Sequence, residues 1–280
     1  RRSIIPQLRP AALMLQSRFR MEYLEGRQSV LAALRARQRR IDVILLRHGI
    51  HEQSIREILD LAGERNVPVR FVDPAELDAV AHGATHGGVI AVAWPKPRTT
   101  IEQLMRLLDN LDEPALLLLL EGIDDARNLG FVLRTADALG VHAVLIKKHL
   151  WDFDPVEVAR PSSGAYERLP LVQIDDVGPL QQLQRRGVRI VGCIAGGKRC
   201  IYDADLTQPT ILALGGEKRG LSAAVRQICD LFVTIPSKPQ PSSLSLSHAA
   251  AIVIAEAARQ RMRRTAPMPG ATDQRSTDAS

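Results

Sequence analysis

At 280 residues the chain has room for about two domains, and 45% hydrophobic with 24% charged residues is the composition of an ordinary globular protein. No apolar run approaches the ~20 residues of a membrane helix, no secretion signal is expected, and three cysteines without CxxC spacing argue against a zinc or disulfide framework and for reduced thiols in a cytoplasmic protein. The formal charge of +6 leans towards a polyanionic partner without separating nucleic acid from the mild basicity many proteins have.

Residues 1–20 are a basic extension ahead of Met21, read either as a tail or as an addition to nucleic-acid affinity. From Gly26 the pattern becomes regular. Ser29 to Leu34 opens a helix, Ile41 to Leu46 is a strand, and Gln53 to Glu64 repeats Ile55, Ile58, Leu59 and Ala62 at helical spacing. Val67 to Val72 is a strand whose Pro68 suits an edge, Pro74 to Ala81 a short helix, and Gly88 to Ala93 a further strand. Residues 21–94 are therefore a small α/β domain. Its loop from Ala81 to Gly88 holds His82 and His86, which lack a third metal ligand in sequence and read better as loop or RNA contacts.

Residues 95–112 form a linker rich in proline and cations, then a helix from Thr100. The second domain covers 113–264. The apolar strand Ala115 to Leu120 runs through a polar turn into a helix carrying Asn128 and Arg134, which stops at Gly140 before the strand Val141 to Ile146. Val156 to Arg160 is helical, Ser162 to Ala165 a turn and Leu169 to Val172 extended. A helix from Gly178 to Arg186 and strands at Val188–Ile194, Thr210–Leu214 and Cys229–Ile235 follow, then a long helix from about Ser245 to Arg263. Residues 265–280 are polar and expected to be disordered.

Three stretches share one layout, polar or glycine residues at a strand end beside a helix start: Glu121–Thr135, Leu214–Ser222 and Ile235–Ser247. Parallel sheets gather such loops on one edge, which predicts a single shared pocket. In the first, Asn128 is either a helix cap or a ligand contact, and Arg134 either a surface cation or a fork for a phosphate. The second, GGEKRGLS, matches neither a Walker loop nor the dinucleotide fingerprint, and its Glu217 calls for a hydrogen-bond partner. In the third, Ser243, Ser245 or Ser247 caps the last helix, while a Ser/His hydrolase is disfavoured by the absence of GxSxG.

Together the three stretches resemble the signature of the SpoU family of RNA ribose 2′-O-methyltransferases, in the SPOUT superfamily. N-x-G-x-x-x-R-T-A stands as Asn128 to Ala136, G-x-E-x-x-G-L-S as Gly215 to Ser222, and the I-P…S-L-x-x-S motif as Ile235-Pro236 through Ser243, Leu244, Ser245 and Ser247. The match runs from about Met21 to Arg263 and is most like the enzymes that methylate a guanosine ribose of 23S rRNA. The resemblance implies an α/β catalytic domain with a deep trefoil knot, preceded by a smaller substrate-binding α/β domain. It further implies a homodimer, cytoplasmic location, RNA as partner, no metal, and S-adenosylmethionine held mostly by backbone at Leu214, Gly215, Gly216, Ile235 and Leu244. Arg134 would meet the target 2′-hydroxyl or its phosphate and help remove the proton, with Asn128 and Glu217 positioning it and Ser243 and Ser245 completing the catalytic set. The chain departs from the family at Ser245, where asparagine is usual, and at Ser237–Pro239, where the family has a methionine and a glycine. Alternatives carried forward are an RNA-binding homologue with impaired catalysis, and a methyltransferase acting on tRNA or on an antibiotic site in rRNA.

Overall fold

The computed structural model describes residues 21–82, 86–147, 153–238 and 244–265, so Ser243 and both terminal segments lie outside the described residues. The first unit runs β1 (Glu22–Glu25), α1 (Arg27–Ala36), β2 (Ile41–Arg47), α2 (Glu52–Glu64), β3 (Val69–Val72), α3 (Pro74–Val80) and β4 (Val89–Ala93). Its sheet has the order β1-β4-β2-β3, with β3 on the edge as Pro68 requires. β2 and β3 are parallel, and β4 runs antiparallel to both β1 and β2. The expected period holds in α2, where Ile55, Ile58 and Ala62 are buried against Leu24, Ile44 and Leu46. The strand β1 is absent from the sequence reading because Glu-Tyr-Leu-Glu carries too few residues to show a period.

The second unit opens on α4 (Ile101–Asp109), started by a reciprocal capping box between Thr100 and Gln103. The segment before it is not a free linker. Thr99 bridges to Val172 and its N–H donates to the Leu171 carbonyl at 3.0 Å, while Leu104 sits in the core of the second sheet. Then follow β5 (Leu116–Leu120), α5 (Ala126–Ala138), β6 (Ala143–Lys147), α6 (Pro155–Ser162), α7 (Ala165–Arg168), β7 (Leu171–Ile174), α8 (Gly178–Arg185) and β8 (Arg189–Cys193). The chain closes with β9 (Thr210–Leu214), α9 (Ala223–Ile228), β10 (Leu231–Val233) and α10 (Leu246–Thr265).

The six strands form one parallel sheet in the order β10-β8-β9-β5-β6-β7. β5 is central and buried on both faces, which is why it reads as an unbroken leucine run. Leu116, Leu118 and Leu120 face α5 and α10, while Leu117 and Leu119 face α4 and α8. Each contributes about 2 kcal/mol by leaving water. The strand order reverses between β5 and β9, and there the backbone at Gly122 and Gly216 closes up. A Cβ on Gly122 would lie 2.9 Å from the Gly216 Cα.

The two units are joined through α6 and α7. Arg39, nearly buried, makes a bidentate pair with Glu167 at 2.9 and 2.6 Å and reaches Glu22 at 2.5 Å. Lys96 donates to the Tyr166 and Leu169 carbonyls, and burial pushes its ammonium down to about 8. At Gly164, with φ +87°, a Cβ would sit 2.6 Å from the Ala32 Cβ, so α1 rests directly on the α6–α7 joint.

Candidate active site

A cavity of about 640 Å³ opens at the C-terminal ends of β8, β9 and β10 and is walled by α10. Its size suits a ligand of nucleoside dimensions. Leu214, Gly215, Gly216, Ile235 and Leu244 all line it, as does Glu217. The turn after β9 is drawn tight by Gly220 N–H donating to the Gly216 carbonyl at 2.8 Å. A side chain at Gly215 would put its Cβ 1.9 Å from the Gly220 carbonyl carbon, so only glycine leaves this wall in place.

The first turn of α10 ties the three stretches together. Glu217 accepts the Leu246 N–H at 2.9 Å, satisfying a free donor at the helix start and answering the need for a partner. Ser245, with its carbonyl accepting from Ala249 at 2.9 Å and its hydroxyl from the His248 N–H at 3.4 Å, takes the capping position over Ser247 among the described residues. Its Oγ also meets His248 Nδ1 at 2.5 Å and Ser247 Oγ at 3.1 Å. Ser247 in turn donates to Asn128 Oδ1 at 3.4 Å. Leu246, Ala249 and Val253 face the cavity while Ser247 faces Asn128, so α10 separates an apolar pocket from a polar shelf.

Asn128 is not the cap of α5. That role belongs to Asp125, whose Oδ1 accepts the Asn128 N–H at 3.0 Å, leaving the Asn128 amide to face Ser247. Arg134 lies farther along α5, exposed, and makes no ion pair or hydrogen bond among the described residues. It does not line the cavity. Sequence reasoning missed Glu121, a buried carboxylate at the end of β5. It accepts from the Ser222 N–H at 2.6 Å and hydroxyl at 2.8 Å, and pairs with Lys147 Nζ at 2.7 Å. The only hint was a charged residue directly after a leucine run.

Cys193 lines the cavity, but burial, with Cys229 beside it, pushes its thiol up to about 12, so it stays protonated and inert at neutral pH. His86 and His82 each meet a carboxylate. His86 accepts from the Gly88 N–H and reaches Asp78 at 2.9 Å, while His82 Nε2 meets Asp154 at 3.0 Å. Among the described residues no group of three potential metal ligands is assembled.

Against models of known families, residues 115–255 match the SpoU rRNA Methylase family. The chain belongs to the SpoU family. Residues 23–99 match the model for RNA 2′-O ribose methyltransferase substrate binding. Among similar SpoU proteins is the 23S rRNA (guanosine-2′-O-)-methyltransferase RlmB of Pseudomonas putida, 36% identical over 86% of this chain and 97% of that one. The RlmB of Escherichia coli is 30% identical over 86% of this chain and 99% of its own. Among solved structures, the SpoU methyltransferase AviRb from Streptomyces viridochromogenes in complex with AdoMet superposes with a TM-score of 0.71 at 27% identity, over 88% of this chain and 92% of that one.

Proposed function

We propose that this SpoU protein transfers a methyl group from S-adenosylmethionine to a guanosine ribose 2′-hydroxyl of 23S rRNA. The observation that carries the reading is α10's first turn, where Glu217 and Asn128 from two separate motifs meet the third beside one nucleoside-sized cavity. Leu214, Gly215, Gly216, Ile235 and Leu244 would hold the cofactor, and the residues present fit it. The wall at Gly215 and Gly216 is backbone a Cβ would obstruct, and the rest is largely apolar. When bound, the cofactor supplies an electrophilic methyl sulfonium.

The chain's own residues supply the rest. Arg134 is exposed and without a partner among the described residues, free to take the phosphate and to stabilise the ribose oxygen as its proton passes to solvent water while the methyl–sulfur bond breaks. A guanidinium stays protonated, so its contribution is charge and orientation. Asn128, held by Ser247, orients the nucleotide. Glu217 acts through the start of α10, and Ser243 and Ser245 belong to the same segment. Residues 21–94 deliver the RNA, and 113–264 carry out transfer. The SpoU family match supports a knotted C-terminal half, in which Thr234 after β10 pairs with Cys200 through bonds to Arg199 and Ile201 at 2.9 Å. The exposed Leu244 at the cavity wall, with Arg134 exposed away from that cavity, supports a homodimer completing the site; the protein would act in the cytoplasm, with rRNA. No described helix is long and apolar enough to cross a membrane.

The test is transfer of labelled methyl from S-adenosylmethionine to 23S rRNA, with the modified nucleotide mapped, alongside calorimetry for cofactor binding. A folded protein that binds no S-adenosylmethionine refutes the reading; binding without transfer favours the impaired RNA-binding homologue.

A further inference from the structure

The N-terminal sheet carries a surface feature that neither the cavity nor the three motifs use. At the C-terminal ends of the parallel strands β2 and β3, the rings of His48 and Phe71 stack with centroids 6.1 Å apart and planes 27° from parallel. Phe71 is 48% exposed, an uncommon degree for a large apolar ring, and His48 is exposed beside it. The pair is held by the sheet rather than by a loose loop. Phe71 stands opposite Leu46 in the ladder, and the His48 N–H donates to the Val72 carbonyl at 2.9 Å. The two rings therefore present one pre-ordered aromatic face to solvent.

Exposed cations stand on the neighbouring residues and helices. Arg47, the last residue of β2, is exposed and makes no ion pair among the described residues. Arg27 reaches the first turn of α2, donating to the Ser54 carbonyl at 3.3 Å, and Arg56 is exposed on the next turn. The exposed acids without an ion pair on the same segments are Glu52, Asp60 and Asp73, while Arg70 is neutralised by Glu76 at 3.3 Å. Arg27, Arg47 and Arg56 equal these free carboxylates in number, and the cation that matters is Arg47, which directly precedes His48: an aromatic face with a cation beside it complements a base flanked by phosphates.

A series of contacts also leads from the platform to the second unit. The Arg47 stem packs on Gly88, where an added Cβ would lie 3.2 Å from the Arg47 Cβ. Gly88 donates to His86, and His82, across the same connection, meets Asp154 at the start of α6, on the C-terminal side of β6. We propose that His48 and Phe71 are a stacking platform for an unpaired base of the RNA substrate, with Arg47 and Arg27 taking the phosphates on either side. This rests on the reading that RNA is the substrate. An unpaired base is specified because bases inside an A-form helix offer no free face.

Phe71→Ala, His48→Ala, Phe71→Tyr and Arg47→Ala are compared with the wild type on a 23S rRNA fragment carrying 2-aminopurine at unpaired positions around the methylated nucleotide. Phe71→Ala is expected to weaken RNA binding about tenfold, with the loss falling on KM, and to abolish the stacking quench of the 2-aminopurine. The slope of log affinity against log salt stays as in the wild type, and S-adenosylmethionine affinity is unaltered. Phe71→Tyr restores the quench, whereas Arg47→Ala lowers the salt slope by about one contact. A Phe71→Ala protein that binds RNA within twofold of an active wild type overturns the platform alone. So does a weakened variant with the quench intact, which assigns Phe71 a structural role, and so does a shift in sedimentation with RNA affinity unchanged, which assigns the face to a second copy. A wild type with no RNA affinity overturns both readings.

Discussion

Gly215→Ala is the sharpest test of the cofactor wall. The added Cβ would lie 1.9 Å from the Gly220 carbonyl carbon, 2.1 Å from the Leu221 nitrogen and 2.2 Å from the Gly220 oxygen. Non-bonded carbons rest at about 3.5–4.0 Å, so the turn must retreat by roughly 1.5 Å or more. All three obstructing atoms are backbone, and no rotamer relieves them. Retreat pulls on Leu221, which is 4% exposed and part of the core, and on Ser222, whose two bonds to Glu121 anchor the turn. Overpacking of this kind costs about 1–3 kcal/mol, and loss of the Gly220–Gly216 hydrogen bond about 1 more. The total of about 2–4 kcal/mol is below the ~5–15 kcal/mol of a typical native state, so the variant is expected to fold with its melting midpoint lowered by about 5–15 °C. Because the displaced wall borders the cavity, S-adenosylmethionine affinity should fall more than tenfold by calorimetry at a temperature where the variant is folded. An unchanged midpoint together with affinity within about threefold of wild type would refute the argument.

Arg134→Ala removes an exposed side chain without described partners, so stability should change by less than about 0.5 kcal/mol and cofactor affinity not at all. Turnover should drop about 10²–10³-fold; a rate within tenfold of wild type refutes its proposed role. Glu167→Ala leaves the Arg39 guanidinium buried with only Glu22 as its carboxylate and should cost about 3 kcal/mol in urea unfolding, and a loss under about 1 kcal/mol would show that the pair does not hold the two units together. Burial lowers Lys96 to about 8, so between that pH and about 10.5 the unfolded chain holds a proton the folded one has released, and stability rises with pH by up to about 1.4 kcal/mol per unit. Tyr166 works the opposite way above about pH 10, because burial raises its hydroxyl. Urea unfolding of wild type and Lys96→Met from pH 7 to 10 should show the wild type gaining on the variant, and parallel pH profiles would sink the assignment.

What the sequence disclosed and what it hid follow one physical line. Signals confined to neighbouring residues were readable. The apolar run of β5, the period of α2, the helix start at Thr100 and the glycines after β9 each act within one element or turn. What stayed hidden depends on partners far along the chain. Glu121 takes its meaning from Ser222 and Lys147, and Arg39 from Glu167, neither of which any local pattern announces. The same holds for Thr99, which looks like linker until Val172 appears beside it.

Ser245 shows how the two kinds of information combine. As a departure from the family's asparagine it raised the alternative of impaired catalysis, because a hydroxyl lacks the separate donor and acceptor of an amide. In the fold, Ser245 is not alone. Its Oγ caps α10 and meets His248 Nδ1, and Ser247 beside it reaches Asn128. The Ser245 hydroxyl and His248 Nδ1 satisfy each other, and the link to Asn128 runs through Ser247, so it does not depend on the amide that Ser245 replaces. Glu217 meanwhile fixes the same turn from the cofactor side. The substitution therefore leaves the tie between the pocket and the nucleotide shelf in place, which favours an active enzyme over an RNA-binding relic.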